Sequence, residues 1–108
     1  NGKRRLVARS RDGVNFEAAA HDEALVDPGC NAGLVRHKGL LLFTNAAAEK
    51  RERLSIRQSA DGGRTWSAAR VIHEGPAAYS TVIVLRDGSV GVLYERGEKY
   101  AAERITFA

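Results

Sequence analysis

The sequence predicts an all-β protein made of about two blades of a β-propeller. Short β-type segments follow one another along the 108 residues, and a set of four such segments recurs with a period near 50 residues, as in propeller blades. No segment shows sustained helix periodicity, and the alanine clusters at 18–20 and 46–48 are too short to form stable helices.

The repeat consists of two turns and two hairpins. Residues 10–16 (the first box) and 59–66 (the second box) share the frame Ser-x-Asp-Gly followed by an aromatic residue. The same offset aligns the apolar segments 34–42 and 83–91, each interrupted by a two-residue turn that ends in glycine. Both segments are typical of β-hairpins.

The remaining β-type segments allow the chain to be divided into blades. They lie at 5–10, 54–59, 69–72 and 104–108. We expect residues 1–20 to form the outer strands of one blade, residues 33–72 a complete blade, and residues 79–108 most of the next. Two blades cannot close a ring of the usual four to eight. The chain is therefore expected either to be part of a larger propeller or to assemble with copies of itself.

The composition argues against several classes of protein. With 44% hydrophobic and 28% charged residues, the chain resembles a single folded domain rather than a disordered segment. No apolar run approaches the roughly 20 residues of a membrane-spanning helix. The net charge of +4 is dispersed among acidic residues without a basic, aromatic-rich stripe, which argues against nucleic-acid binding. The single cysteine, Cys30, can form neither an intrachain disulfide nor a zinc site.

The two boxes are first of all structural turns. Asp12 and Asp61 are expected to accept backbone N–H groups within the turn, and the glycines that follow them permit positive φ. Phe16 and Trp66 are expected to pack beneath the next strand. No second carboxylate stands at ligand spacing near Asp61, so neither a metal site nor a cofactor is predicted.

The boxes resemble the Asp-boxes, Ser-x-Asp-x-Gly-x-Thr-Trp, of bacterial and animal sialidases. The second box matches every fixed position, whereas the first is one residue shorter and has Phe in place of Trp. The order of the other segments adds to the resemblance: Arg5 and Arg51 precede the two boxes, Ala-Tyr-Ser stands at 78–80, and Leu-Tyr-Glu stands at 93–95. This succession is similar to the C-terminal third of an exo-α-sialidase of the six-bladed propeller family.

The resemblance implies that Tyr79 is the catalytic nucleophile. Sialic acid has a carboxylate on its anomeric carbon, which would repel a carboxylate nucleophile, and sialidases use a tyrosine instead. A phenol needs a neighbouring base, which the resemblance places in an earlier blade, outside this sequence. On spacing alone, Tyr79 is also explained as a packed aromatic residue with a hydrogen-bonded hydroxyl.

The resemblance also implies roles for three charged residues. Arg5 and Arg51 correspond to two of the three arginines that bind the substrate carboxylate, because a planar guanidinium matches a carboxylate with two parallel hydrogen bonds. Glu95 corresponds to the acid that orients the remaining arginine of that triad. The alternatives are solvated surface arginines and an ordinary edge charge at Glu95. The neighbouring arginines that could replace the assigned ones are Arg4, Arg53 and Arg57.

The predicted function is therefore exo-α-sialidase activity that releases terminal sialic acid with retention through a tyrosyl intermediate. The partners implied are sialylated glycans and the remaining propeller blades, from the same or another chain, and the resemblance favours a secreted or periplasmic location. The 108-residue chain alone is expected to be inactive, since other active-site residues lie elsewhere. The alternative is a non-catalytic propeller module that binds acidic glycans and needs only Arg5 and Arg51.

Overall fold

The computed structural model describes residues 3–108, and these residues form strands and loops without a helix. Hence no helix in this range could cross a membrane. The prediction of an all-β fold is confirmed. The eight strands are β1 (Arg4–Val7), β2 (Ala20–Val26), β3 (Gly33–His37), β4 (Leu40–Ala46), β5 (Glu52–Ser59), β6 (Arg70–Val84), β7 (Val90–Arg96) and β8 (Arg104–Phe107).

The strands form two antiparallel sheets with neighbours in chain order. β1 pairs with β2, and β3 to β8 form a six-stranded sheet. The 15-residue strand β6 joins the two halves of that sheet, because its residues 70–76 pair with β5 and its residues 77–84 pair with β7. This is the arrangement of partial propeller blades.

The two predicted hairpins are present, but only one has the expected turn. Lys38 and Gly39 connect β3 to β4 with φ values of 50° and 78°, the double positive φ of a type I′ turn. The predicted two-residue turn at Asp87 and Gly88 is wrong. There, residues 85–89 form a longer loop, closed by a hydrogen bond from the backbone N–H of Leu85 to the carbonyl of Ser89.

The strand assignments at the beginning of the chain differ from the predictions. The segment predicted at 5–10 ends as a strand at Val7, and β2 was not predicted. In β2 only Leu25 is fully buried, so the strand lacks a clear alternation of apolar and polar residues. The three histidines all lie in strands: His21 in β2, His37 in β3 and His73 in β6.

The core lies between the two halves of the six-stranded sheet. Leu54 from β5 packs with Val82 from β6 and with Val92 and Tyr94 from β7. This layer fixes the first half of the sheet against the second, which includes the part of β6 that contains Tyr79.

Both boxes are closed turns in which the aspartate accepts hydrogen bonds, as predicted. Asp61 accepts the backbone N–H groups of Arg64 and Thr65 at 3.0 and 2.9 Å, together with the hydroxyls of Ser59 and Thr65. Asp12 binds Ser10, Val14 and Asn15 in the same manner. These hydrogen bonds hold the pKa of both carboxyl groups well below the usual range.

The lowered pKa values predict acid-sensitive stability. A carboxyl group with a lowered pKa in the folded state stabilises the protein above about pH 4, and this stabilisation is lost as the pH falls. We expect Asp61→Asn to make the decline of the thermal midpoint between pH 5 and pH 2 shallower than in the unmodified chain. The control is Glu98→Gln, at an exposed position. Parallel curves for the chain and Asp61→Asn would contradict the assignment.

The aromatic residues of the two boxes differ in their packing. Trp66 contacts Phe43 with a centroid distance of 5.6 Å, as expected for a residue packed beneath a strand. The expectation for Phe16 is wrong, because this side chain is 62% exposed. The first box lies in the connection between β1 and β2, which form a sheet of only two strands, and no described strand covers Phe16.

Candidate active site

The alternation of β6 presents Tyr79 to solvent between two buried neighbours. Ala78 and Ser80 are buried, whereas Tyr79 is 41% exposed. The Ser80 hydroxyl donates to the carbonyl of Thr44 at 3.1 Å, and its backbone N–H donates to the carbonyl of Asn31 at 3.2 Å. These bonds from the adjacent residue fix the backbone from which the phenol projects.

Arg51 and Glu95 both lie against Tyr79. A carboxylate oxygen of Glu95 in β7 accepts the backbone N–H of Tyr79 at 3.2 Å. The guanidinium carbon of Arg51 lies 5.7 Å from the centroid of the Tyr79 ring, within cation–π range. Arg51 immediately precedes β5, and its carbonyl accepts the backbone N–H of Ala77 in β6 at 3.0 Å. Three of the four predicted site residues are thus in one place.

Arg5, the fourth predicted residue, binds a different set of groups. Its Nη1 donates to Oδ2 of Asp27 at 3.1 Å and to the carbonyl of Cys30 at 2.6 Å. Its guanidinium carbon also lies 5.9 Å from the centroid of Phe43. One guanidinium nitrogen thus makes both hydrogen bonds recorded for this side chain.

A buried polar network that the sequence analysis missed holds Arg5. Asp27 is 2% exposed, and its carboxylate accepts the Asn45 side-chain amide at 3.0 Å and the backbone N–H of Gly29 at 2.7 Å. Asn45 also donates to the carbonyl of Val26 at 2.8 Å. In the sequence, Asn45 could have indicated this network, because it is the only residue with a side-chain amide in the apolar run 40–48.

Cys30, whose carbonyl accepts the Arg5 hydrogen bond, has a side chain that feels the charges of both groups of residues. The thiol is buried, and burial raises its pKa, so it is protonated at neutral pH. The charges of Arg51 and Arg5 act on it in the opposite direction, whereas those of Asp27 and Glu95 add to the effect of burial. The charges of both Arg5 and Arg51 therefore act on the Cys30 thiol.

A groove of about 220 Å³ runs beside Tyr79. Its lining includes the apolar residues Leu93 and Ile105 and the polar residues Asn31, Thr81 and Glu95. Among residues 3–108, no three His, Cys, Asp or Glu side chains are grouped so that they could hold a metal ion. The charged groups that contact Tyr79 are one guanidinium, that of Arg51, and one carboxylate, that of Glu95.

Comparison with known proteins identifies the family of this chain. A family model described as a BNR repeat-like domain matches residues 1–92. The chain belongs to the BNR repeat-like family. A sialidase of Micromonospora viridifaciens is 34% identical to the BNR chain over 108 residues, covering 90% of this chain and 17% of that relative. The resemblance to sialidases predicted from the sequence is confirmed.

Proposed function

We propose that this BNR chain forms part of the active site of an exo-α-sialidase. The observation that carries the proposal is the placement of Arg51 and Glu95 against Tyr79. The similarity to the sialidase of Micromonospora viridifaciens supports a sialylated glycan as the substrate. Because the chain spans only 17% of that relative, the activity is proposed for a complete propeller that contains this chain.

In the proposed reaction, a base supplied by another blade takes the phenolic proton of Tyr79 as its oxygen attacks the anomeric carbon of a terminal sialic acid. The bond from that carbon to the glycosidic oxygen breaks, and the leaving oxygen takes a proton from an acid supplied by another blade. That group, now a base, then deprotonates a water molecule that attacks the anomeric carbon, and the bond to the Tyr79 oxygen breaks as this oxygen regains its proton, so that two displacements give retention. Glu95 acts as a positioning residue, because it holds the backbone of Tyr79 rather than the reacting oxygen.

The two arginines are proposed to bind the substrate carboxylate from two sides. Arg51 is exposed at the site, and its side chain has no recorded ion pair among residues 3–108. One nitrogen of Arg5 donates to Asp27 and to the carbonyl of Cys30. Its remaining guanidinium nitrogens are therefore the donors available to the substrate. Arg51 is therefore expected to supply the larger share of the binding energy.

The other partners proposed are further propeller blades. Because β6 changes its pairing partner between Pro76 and Ala77, we place the boundary between the blades of 33–72 and 79–108 at this point of β6. The strands that precede β3 then belong to the earlier blade. A propeller completed by one longer polypeptide is preferred to a ring of identical copies, which would repeat Tyr79 around a single channel.

Replacing Arg51 tests the proposed substrate binding. In a complete propeller containing this chain, Arg51→Ala is expected to lower kcat/KM for a fluorogenic sialoside by about 10- to 100-fold, the effect of losing charge-assisted hydrogen bonds. Arg53→Ala is the control, because Arg53 lies two residues away and pairs with Glu74 instead. Equal effects of the two substitutions, or no turnover by the unmodified propeller, would refute the proposal.

A further inference from the structure

The second box makes a contact that its role as a turn does not require. Arg9, in the segment that follows β1, donates from Nη1 to the carbonyl of Gly62 at 2.7 Å and from Nη2 to the carbonyl of Gly63 at 2.9 Å. The partners are more than 50 residues apart in the sequence and are associated with different sheets. A guanidinium is a planar fork whose two terminal nitrogens match two adjacent acceptors.

The second box uses its N–H groups within the turn, whereas two of its carbonyls accept from Arg9. The backbone N–H of Gly63 donates to the Ser59 hydroxyl at 2.8 Å, and the next two N–H groups donate to Asp61. Gly62 and Gly63 have φ values of 74° and 84°, a succession of left-handed residues that favours glycine at both positions. The carbonyls of these two glycines accept from the same guanidinium.

The first box lacks this arrangement. It has a single glycine, Gly13, followed by Val14, and it is one residue shorter than the second box. Val14 is not among the residues with positive φ. The pair of consecutive glycines in the second box therefore explains why a guanidinium binds there, beyond the Ser-x-Asp frame that both boxes share.

We propose that the carbonyls of Gly62 and Gly63 form a guanidinium-binding site, and that its occupant Arg9 joins the β1–β2 sheet to the six-stranded sheet. The inference is independent of the proposed sialidase function. It assigns the second box a role in contact between neighbouring sheets, in addition to closing its own turn.

The position of Arg9 gives this contact a consequence for the candidate active site. Residues 5–9 line one cavity together with residues of the six-stranded sheet and of the second box. Arg5 is held at one end by Asp27 and the carbonyl of Cys30, and Arg9 is held at the other end by the second box. Two guanidinium contacts therefore fix this segment along its length.

Chemical rescue tests the site in the 108-residue chain. In Arg9→Ala, ethylguanidinium at about 10 mM, far below denaturing concentrations, is expected to shift the carbonyl carbon NMR signals of Gly62 and Gly63. Ethylammonium at the same concentration is expected to leave these signals unchanged, because an ammonium group cannot donate two parallel hydrogen bonds in one plane. In the unmodified chain Arg9 occupies the site, so neither compound should shift these signals.

Hydrogen exchange supplies the second measurement. Amides of β1 and β2 are expected to exchange about tenfold faster in Arg9→Ala and to slow again with ethylguanidinium. Arg11→Ala, which removes an exposed arginine two residues away, is expected to leave the exchange unchanged. If Arg9→Ala does not fold, ethylguanidinium but not ethylammonium should restore the folded spectrum. Equal effects of the two compounds, or equal exchange in the Arg9 and Arg11 variants, would overturn the proposal.

Discussion

Tyr79→Phe is expected to reduce sialoside turnover by a complete propeller containing this chain by about 10³-fold or more. The substitution removes the oxygen that forms the covalent intermediate, and a 10³-fold loss corresponds to about 4 kcal/mol in the activation barrier. The ring that packs under Arg51 is retained, so substrate affinity is expected to change little. Steady-state kinetics and direct sialoside binding measure the two effects separately.

The same experiment distinguishes an enzyme from a binding module. In a module that only binds acidic glycans, Tyr79→Phe would leave the affinity unchanged and there would be no turnover to lose. Tyr100→Phe is the matched control, because Tyr100 is an exposed tyrosine in the loop between β7 and β8. Turnover in the Tyr79 variant within a few-fold of the unmodified propeller would exclude the tyrosine as nucleophile.

The largest expected effect on stability is that of Gly33→Ala. A Cβ atom at Gly33 would lie 2.6 Å from Oγ1 of Thr44 and 2.6 Å from the backbone nitrogen of Val82, and 2.9 Å from the Cα atom of Thr81. Two of these neighbours are backbone atoms of β6 and cannot rotate away. We expect a loss of roughly 3 kcal/mol, as for overpacked cores, and a thermal midpoint lowered by at least about 10 °C.

Leu34→Ala is the control for this substitution. Leu34 is the next residue of β3 and is 61% exposed, so its loss is expected to change the free energy of unfolding by about 0.5 kcal/mol or less. Thermal unfolding of both variants followed by circular dichroism makes the comparison. A midpoint for Gly33→Ala equal to that of Leu34→Ala would show that β3 and β6 are not packed as closely as described.

The sequence predicted the fold class better than the strand boundaries. The two boxes and the β3–β4 hairpin could be recognised from local sequence. Their turns contain glycines with left-handed backbone conformations, and the hairpin strands have the residue pattern of β-strands. β2 lacks such a pattern because most of its side chains are exposed. The prediction also missed that β6 is one continuous strand, because Glu74, Gly75 and Pro76 are poor strand formers. They lie in a strand because β6 pairs with β5 up to Pro76 and with β7 from Ala77 onwards.

The site could be predicted only through the order of its residues. Tyr79, Arg51 and Glu95 were assigned by resemblance, and their mutual contacts come from three different segments that meet only in the folded sheet. Asp27, Asn45 and Arg9 were missed for the same reason. The long-range partners of these residues are 18 to 54 positions away, so nothing in the immediate sequence indicates these contacts.

Trapping the covalent intermediate tests the central proposal most directly. A sialosyl fluoride with a second fluorine at C3 retains a good leaving group, while the C3 fluorine destabilises the positive charge that develops in both steps, so the intermediate accumulates. After treatment of the complete propeller, trypsin releases peptide 71–86, whose only tyrosine is Tyr79. The proposal predicts one fluorosialosyl group on Tyr79 in this peptide. An adduct on a carboxylate elsewhere, or an unmodified peptide from fully inactivated protein, would contradict it.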